Sequence, residues 1–140
     1  MDRVIGIDYG KKRVGLAVSD PLGIFAQALD TIPTAKIIEY LKFYTQNNNV
    51  KCFVVGYPMN LNNKPAECAA YVDKFLVQLK KSFADIPVVL EDERFTSQIA
   101  MRAMIDGGVK KMDRREKGAV DKISAALILQ SYLDNPLKNK

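Results

Sequence analysis

The stretch VIGIDYGKKRVGLAVSD, Val4 to Asp20, decides the fold. Residues 3–9 alternate apolar and small side chains and predict a strand. Gly10, Lys11 and Lys12 predict a turn, and residues 13–19 a second strand. Asp20-Pro21-Leu22-Gly23 is turn chemistry, and residues 24–32 predict a third strand. Links this short make the three an antiparallel meander. Asp8 is the anomaly. It puts a carboxylate at a strand end, where an apolar residue costs less, and three cations, Lys11, Lys12 and Arg13, follow it.

Downstream of Pro33 the period changes. Ile37, Ile38, Leu41, Tyr44 and Thr45 keep helical spacing, with Thr34 as the expected N-cap, and Asn47-Asn48-Asn49 stops that helix. CFVVG, residues 52–56, predicts a strand buried on both faces, the mark of a parallel sheet core. YPMNLNNKP is a loop, and Pro65 suits the first turn of a second helix. The apolar stripe of that helix is Cys68, Val72, Phe75, Leu76, Leu79 and Phe83. IPVVL, residues 86–90, predicts a fifth strand running into EDER. Thr96 or Ser97 is expected to cap a short helix ending near Gly107-Gly108. A last helix is predicted over about Gly118–Leu133, carrying Ile123, Ala126, Leu127 and Leu133. The order β-β-β-α-β-α-β-α-α implies an α/β fold, a mixed sheet with helices on both faces.

Composition narrows the chemistry. The 140 residues suit one domain, 1–140, and 48% hydrophobic content supports an ordinary core. No apolar run approaches the ~20 residues needed to span a bilayer, and no signal peptide opens the chain, so a cytoplasmic protein is expected. Cys52 and Cys68 are too few for a disulfide scaffold, and Cys52 reads as a small buried hydrophobe. Histidine is absent, which excludes a histidine triad, a histidine proton shuttle and nearly every zinc site. A net charge of +5 is compatible with a polyanionic partner.

Acids stand at the expected strand ends. On the first strand Val4, Gly6 and Asp8 share one face and Ile5 and Ile7 the other; Gly6 lets a helix approach closely. Asp8 either bonds the amides of Gly10 and Lys11 as an Asx turn or faces an open site. Glu91, Asp92 and Glu93 repel one another. Solvent and Arg94 relieve them, or a bound cation does. Alternation puts Glu91 and Glu93 on one face and Asp92 on the other. Asp121 heads a side of the last helix shared with Ala125, Ile128 and Tyr132. Its alternative explanations are a pair with Lys117 and the helix dipole. Acids from a first strand, a late strand and a last helix suit hard divalent ions, which take oxygen ligands. Two such ions, about 3.5–4 Å apart, can activate a water and stabilise the leaving oxygen of a phosphodiester. Each acid also adjoins cations: Lys11, Lys12 and Arg13 after Asp8, Arg94 after Glu93, and Lys110, Lys111, Arg114, Arg115 and Lys117 before Asp121. These are solvated faces or contacts to nucleic-acid phosphates. Tyr9 and Tyr57, beside the strand ends, either stack on bases or pack.

Four motifs, GIDYGKKRVGLAVSD, VVGYPMNLN, EDERFTS and KGAVDKISAALILQSYL, together resemble the YqgF/RuvX family of Holliday junction resolvase-like proteins. The resemblance runs in order across nearly the whole chain. It implies an RNase H-like fold with strand order 3-2-1-4-5. It also implies a nuclease of the small-subunit ribosomal RNA precursor. Asp8, Glu93 and Asp121 match the family's acids and would hold Mg²⁺ or Mn²⁺, two ions, with Asp92 in reserve for the strand-end position. Implied partners are RNA or structured DNA, with no membrane, for a monomer or weak homodimer; a junction resolvase needs two sites and so a dimer. The family's G-L-P is Gly56-Tyr57-Pro58 here, and Asn62-Asn63 replaces a loop glycine. Two rivals stay open. One is a non-catalytic nucleic-acid-binding module. The other is an actin-like or sugar-kinase phosphate hairpin, which needs a second lobe that 140 residues do not build.

Overall fold

Three strands open the chain: β1 (Arg3–Tyr9), β2 (Arg13–Ser19) and β3 (Ala26–Pro33). The computed structural model describes residues 3–20, 22–57, 69–92 and 117–134. β1 pairs antiparallel with β2, setting Asp8 against Gly15, and β2 pairs antiparallel with β3. Helix α1 (Ile37–Asn47) leads to β4 (Val50–Tyr57). Helix α2 (Ala69–Ser82), strand β5 (Val88–Asp92) and helix α3 (Lys117–Asp134) complete the described elements. β4 lies parallel to β1 and to β5, so the sheet order is β3-β2-β1-β4-β5. This is the mixed sheet and strand order expected.

The faces follow from the pleat. Ile5 and Ile7 join Leu16, Phe53, Val55 and Phe75 in a core between the sheet and α1 and α2. Val4, Ala17, Cys52 and Val54 meet Ala125, Ile128, Leu129 and Tyr132 of α3 on the other side. Gly6 is the point of closest approach: an added Cβ there would stand 2.7 Å from Leu129 Cβ and 2.9 Å from the Ala125 carbonyl oxygen.

Several local expectations change. β3 starts at Ala26 rather than residue 24, because Asp20 Oδ1 accepts the amides of Ile24 and Phe25 and keeps them in the turn. Thr34 does not cap α1. It opens a 3-10 turn, Thr34–Lys36, and its hydroxyl donates to the Gly10 carbonyl at 2.7 Å. The helix stop holds: Asn47 and Asn48 donate their side-chain amides to the carbonyls of Phe43 and Tyr44. β5 is Val88–Asp92, so it carries Glu91 and Asp92 within the ladder. On α3 the side read as Ala125, Ile128 and Tyr132 is the buried one, joined by Leu129, whereas Ile123, Ala126, Leu127 and Leu133 are half-buried. Cys68, Pro65 and the short helix expected over 96–107 lie outside the described residues. Cys52 is a free, buried thiol, as read, and burial pushes its ionisation up.

Candidate active site

Asp8 is half-buried near the carboxyl end of β1. The Gly6 contact fixes its side of the sheet, because period-2 alternation carries Gly6 and Asp8 to the same face, that of α3. The helix runs antiparallel to β1. Tyr132 lies 3.9 Å, hydroxyl to Sγ, from Cys52, which pairs with Val4, while Leu129 and Ala125 meet Gly6. The main chain at Asp121, one helical turn before Ala125, therefore lies toward the Asp8 end of β1.

β4 continues past the Ile7–Val55 pair to Gly56, alongside Asp8, and Gly56 in turn pairs with Glu91 of β5. Glu91 is only 7% exposed and accepts the Ser131 hydroxyl of α3 at 3.2 Å. It thus lies on the α3 face, the face of Asp8. A glycine, which has no side chain, occupies the strand position between the two acids. Alternation in the sequence sets Glu91 on one face with Glu93; its tie to α3 crosses 40 positions and has no local signal. Asp92 pairs with Tyr57 at the last rung of the ladder. Lys117 opens α3 and Asp121 lies in its second turn. Glu93, Arg94, Lys110, Lys111, Arg114 and Arg115 lie outside the described residues. Among the described residues no three acidic or thiol side chains gather as metal donors. The donor set expected here takes Glu93 and the side chain of Asp121 from beyond them. What is described fits a hard cation in kind: carboxylate oxygens on one face, no histidine in the chain, and Cys52 turned into the core.

The β1–β2 turn stands beside Asp8. The Gly10 amide donates to the Arg13 carbonyl at 2.9 Å, and the Thr34 amide donates to the Lys12 carbonyl at 3.0 Å. Lys11, Lys12 and Arg13, with Gly10, line a cleft of about 260 Å³. The Lys11 ammonium lies 5.5 Å from the centre of the Tyr71 ring, a cation–π contact. Tyr71 tilts against Tyr9, and Tyr9 stacks on Phe75 at 4.2 Å. Tyr9 is therefore used in packing, and burial raises its phenol above the usual range. Tyr57 donates its hydroxyl to Asp73 at 2.9 Å, and this bond raises its ionisation.

Comparison with known proteins places this arrangement. The family model described as RuvX, Holliday junction resolvase, matches residues 2–135. A protein of Porphyromonas gingivalis named "Putative pre-16S rRNA nuclease" is 46% identical over 136 residues, covering 97% of this chain and 99% of its own. A Phocaeicola vulgatus protein of the same name is 47% identical over 135 residues, covering 96% and 97%. Among solved structures, the Fowlpox virus resolvase in complex with Holliday junction DNA superposes with a TM-score of 0.63 at 12% identity, covering 94% of this chain and 97% of that one. RuvC of T. thermophilus, in complex with a Holliday junction substrate, gives 0.52 at 21%, covering 91% and 92%. These likenesses are of fold, and the fold is the RNase H-like one. With sheet order, face assignment and sequence similarity in agreement over nearly its whole length, the chain belongs to the RuvX (YqgF) family.

Proposed function

We propose that residues 1–140 act as one nuclease domain that hydrolyses phosphodiester bonds of nucleic acid with Mg²⁺ or Mn²⁺, two ions. The carrying observation is the half-buried Asp8 on the α3 face, directly before a turn of three cations. Asp8, Glu93 and Asp121 would hold the ions, with Asp92 as the alternative at the strand end. When bound, the ions supply positive charge to the scissile phosphate and lower the barrier for attack by water. The chain's own residues orient the substrate. Lys11, Lys12 and Arg13 neutralise phosphates beside the acids. Arg94, Lys110, Lys111, Arg114, Arg115 and Lys117 extend the same role. Glu91, held by Ser131, braces β5 against α3 and so sets the spacing between the strand-end acids and the helix acid.

The proposed substrate is the precursor of 16S rRNA, cut near its 5′ end in the cytoplasm, by analogy with the named relatives. A four-way DNA junction is the second substrate, favoured by the description of the matching family. Cleavage of a precursor fragment and of a junction, each with and without the divalent ion, tests both. Asp8→Asn is expected to lower cleavage by at least about a hundredfold, the usual scale for removing one group that stabilises transition-state charge. Its unfolding midpoint is expected to stay within a few degrees of the parent's. Equal rates for the two proteins would overturn the assignment, and loss of folding would make Asp8 structural.

A further inference from the structure

The β1–β2 turn is more than a run of surface lysines. Three of its carbonyls are already engaged inside the protein: Gly10 by the Thr34 hydroxyl, Lys12 by the Thr34 amide and Arg13 by the Gly10 amide. Acceptors that would repel an anion are thereby held by internal donors. Gly10 admits no replacement without rearrangement, since an added Cβ would stand 2.6 Å from the Arg13 carbonyl oxygen. The turn is thus fixed from both sides. The described residues that line its cleft are Lys11, Lys12, Arg13 and Gly10. The cleft is open to solvent, so a phosphate group can enter it with its hydration waters. Lys11 is further steadied over the Tyr71 ring.

Charge selects the ligand. An internal phosphodiester brings one negative charge. A terminal phosphomonoester brings about −1.5 to −2 at pH 7, with three strongly accepting oxygens. Lys11, Lys12 and Arg13, gathered at one open cleft, match the second better. We propose that this cleft is a subsite for the terminal phosphomonoester of a nucleic-acid strand, so that the protein reads strand ends as well as backbone. The inference rests on the reading of the chain as a protein that acts on nucleic acid, and it adds an end-recognising pocket beside the acids.

The test is binding, not cleavage, by the full chain in EDTA. A single-stranded RNA of about 12 nucleotides is prepared with a 5′-phosphate, with a 3′-phosphate, or with hydroxyls at both ends, and titrated by fluorescence anisotropy. One phosphorylated form is expected to bind about tenfold tighter than the hydroxyl form, the scale of one charge-assisted contact. Which form does so identifies the end. The ratio should shrink between pH 7.5 and pH 5, as the phosphomonoester loses its second charge near pH 6. Lys12→Ala should bring the ratio to one, although overall affinity falls too, and Lys12→Arg should retain it. Equal affinity for all three strands would overturn the subsite and leave the nuclease reading standing. A preference that survives Lys12→Ala would also overturn it. Tighter binding of a nucleoside triphosphate than of any strand would assign the cleft to free nucleotide and overturn it equally. Failure of every strand to bind would overturn the subsite, and the cleavage assay with the divalent ion would then decide the proposed function by itself.

Discussion

Gly6 is where one face of the sheet and its covering helix come closest. The atoms that a side chain would meet there, Leu129 Cβ and the Ala125 carbonyl oxygen, are tied to the helix backbone and cannot rotate away. Gly6→Ala is therefore expected to destabilise the protein by about 1–3 kcal/mol, the usual cost of overpacking. Urea unfolding measures it, and a loss below about 0.5 kcal/mol would mean that α3 shifts freely. This glycine was legible in the sequence, because strand alternation sets Val4, Gly6 and Asp8 on one face without any knowledge of the partner. Glu91 was not. Alternation sets it on one face with Glu93 and leaves solvent or a cation as its partner, and only the fold reveals that Ser131 meets it. The role of Tyr9 was open between stacking on bases and packing; its neighbours, Phe75 and Tyr71, come from α2, more than sixty positions on.

At the scale of elements, the β2–β3 turn has its own titrating support. Asp20 accepts the amides of Ile24 and Phe25, and its carboxyl is held below the ordinary value of 3.8, chiefly by the Phe25 amide. A lowered folded-state value means that the stabilisation is present above the ordinary range and is lost as pH falls through the lowered one. Amide exchange at Ile24 and Phe25 should thus stay protected through pH 4 and loosen only in stronger acid. Asp20→Asn, which keeps an acceptor but no charge, should weaken the protection already at neutral pH. Protection that changes in step with an ordinary aspartate would disprove the arrangement. The strands and the first two helices were legible from period alone. Two sides of α3 read as apolar in the sequence, because apolar side chains stand on several sides of that helix, and only the fold shows that the side of Ala125, Ile128 and Tyr132 is the one turned to the sheet. Thr34 was misjudged because its partner, Gly10, is 24 positions away, and a capping signal reads only local sequence.

For the whole molecule, charge sets the dependence of binding on salt. If the cations beside the acids together neutralise three phosphates of a single strand, affinity should fall by roughly 20-fold between about 50 and 200 mM salt. Titrations at four salt concentrations give the slope, and an affinity indifferent to salt would remove the electrostatic account. The sheet order was legible because a meander followed by alternating helix and strand leaves few ways to connect the chain. The candidate site was legible in its residue types; what the described residues add is that α3 crosses to β1 and carries the main chain of Asp121 toward the Asp8 end. That crossing has a cost during synthesis. Gln130 of α3 bonds the main chain of Ala26 across 104 positions. At ribosomal speeds of about 5–20 residues per second, that separation corresponds to roughly 5–20 s. For the later part of that time the nascent chain carries Val4, Ala17 and Val54 without α3 against them, while the opposite face can already pack on α1 and α2. The order in which the two faces are covered thus leaves the α3 side waiting longest for its partner during synthesis.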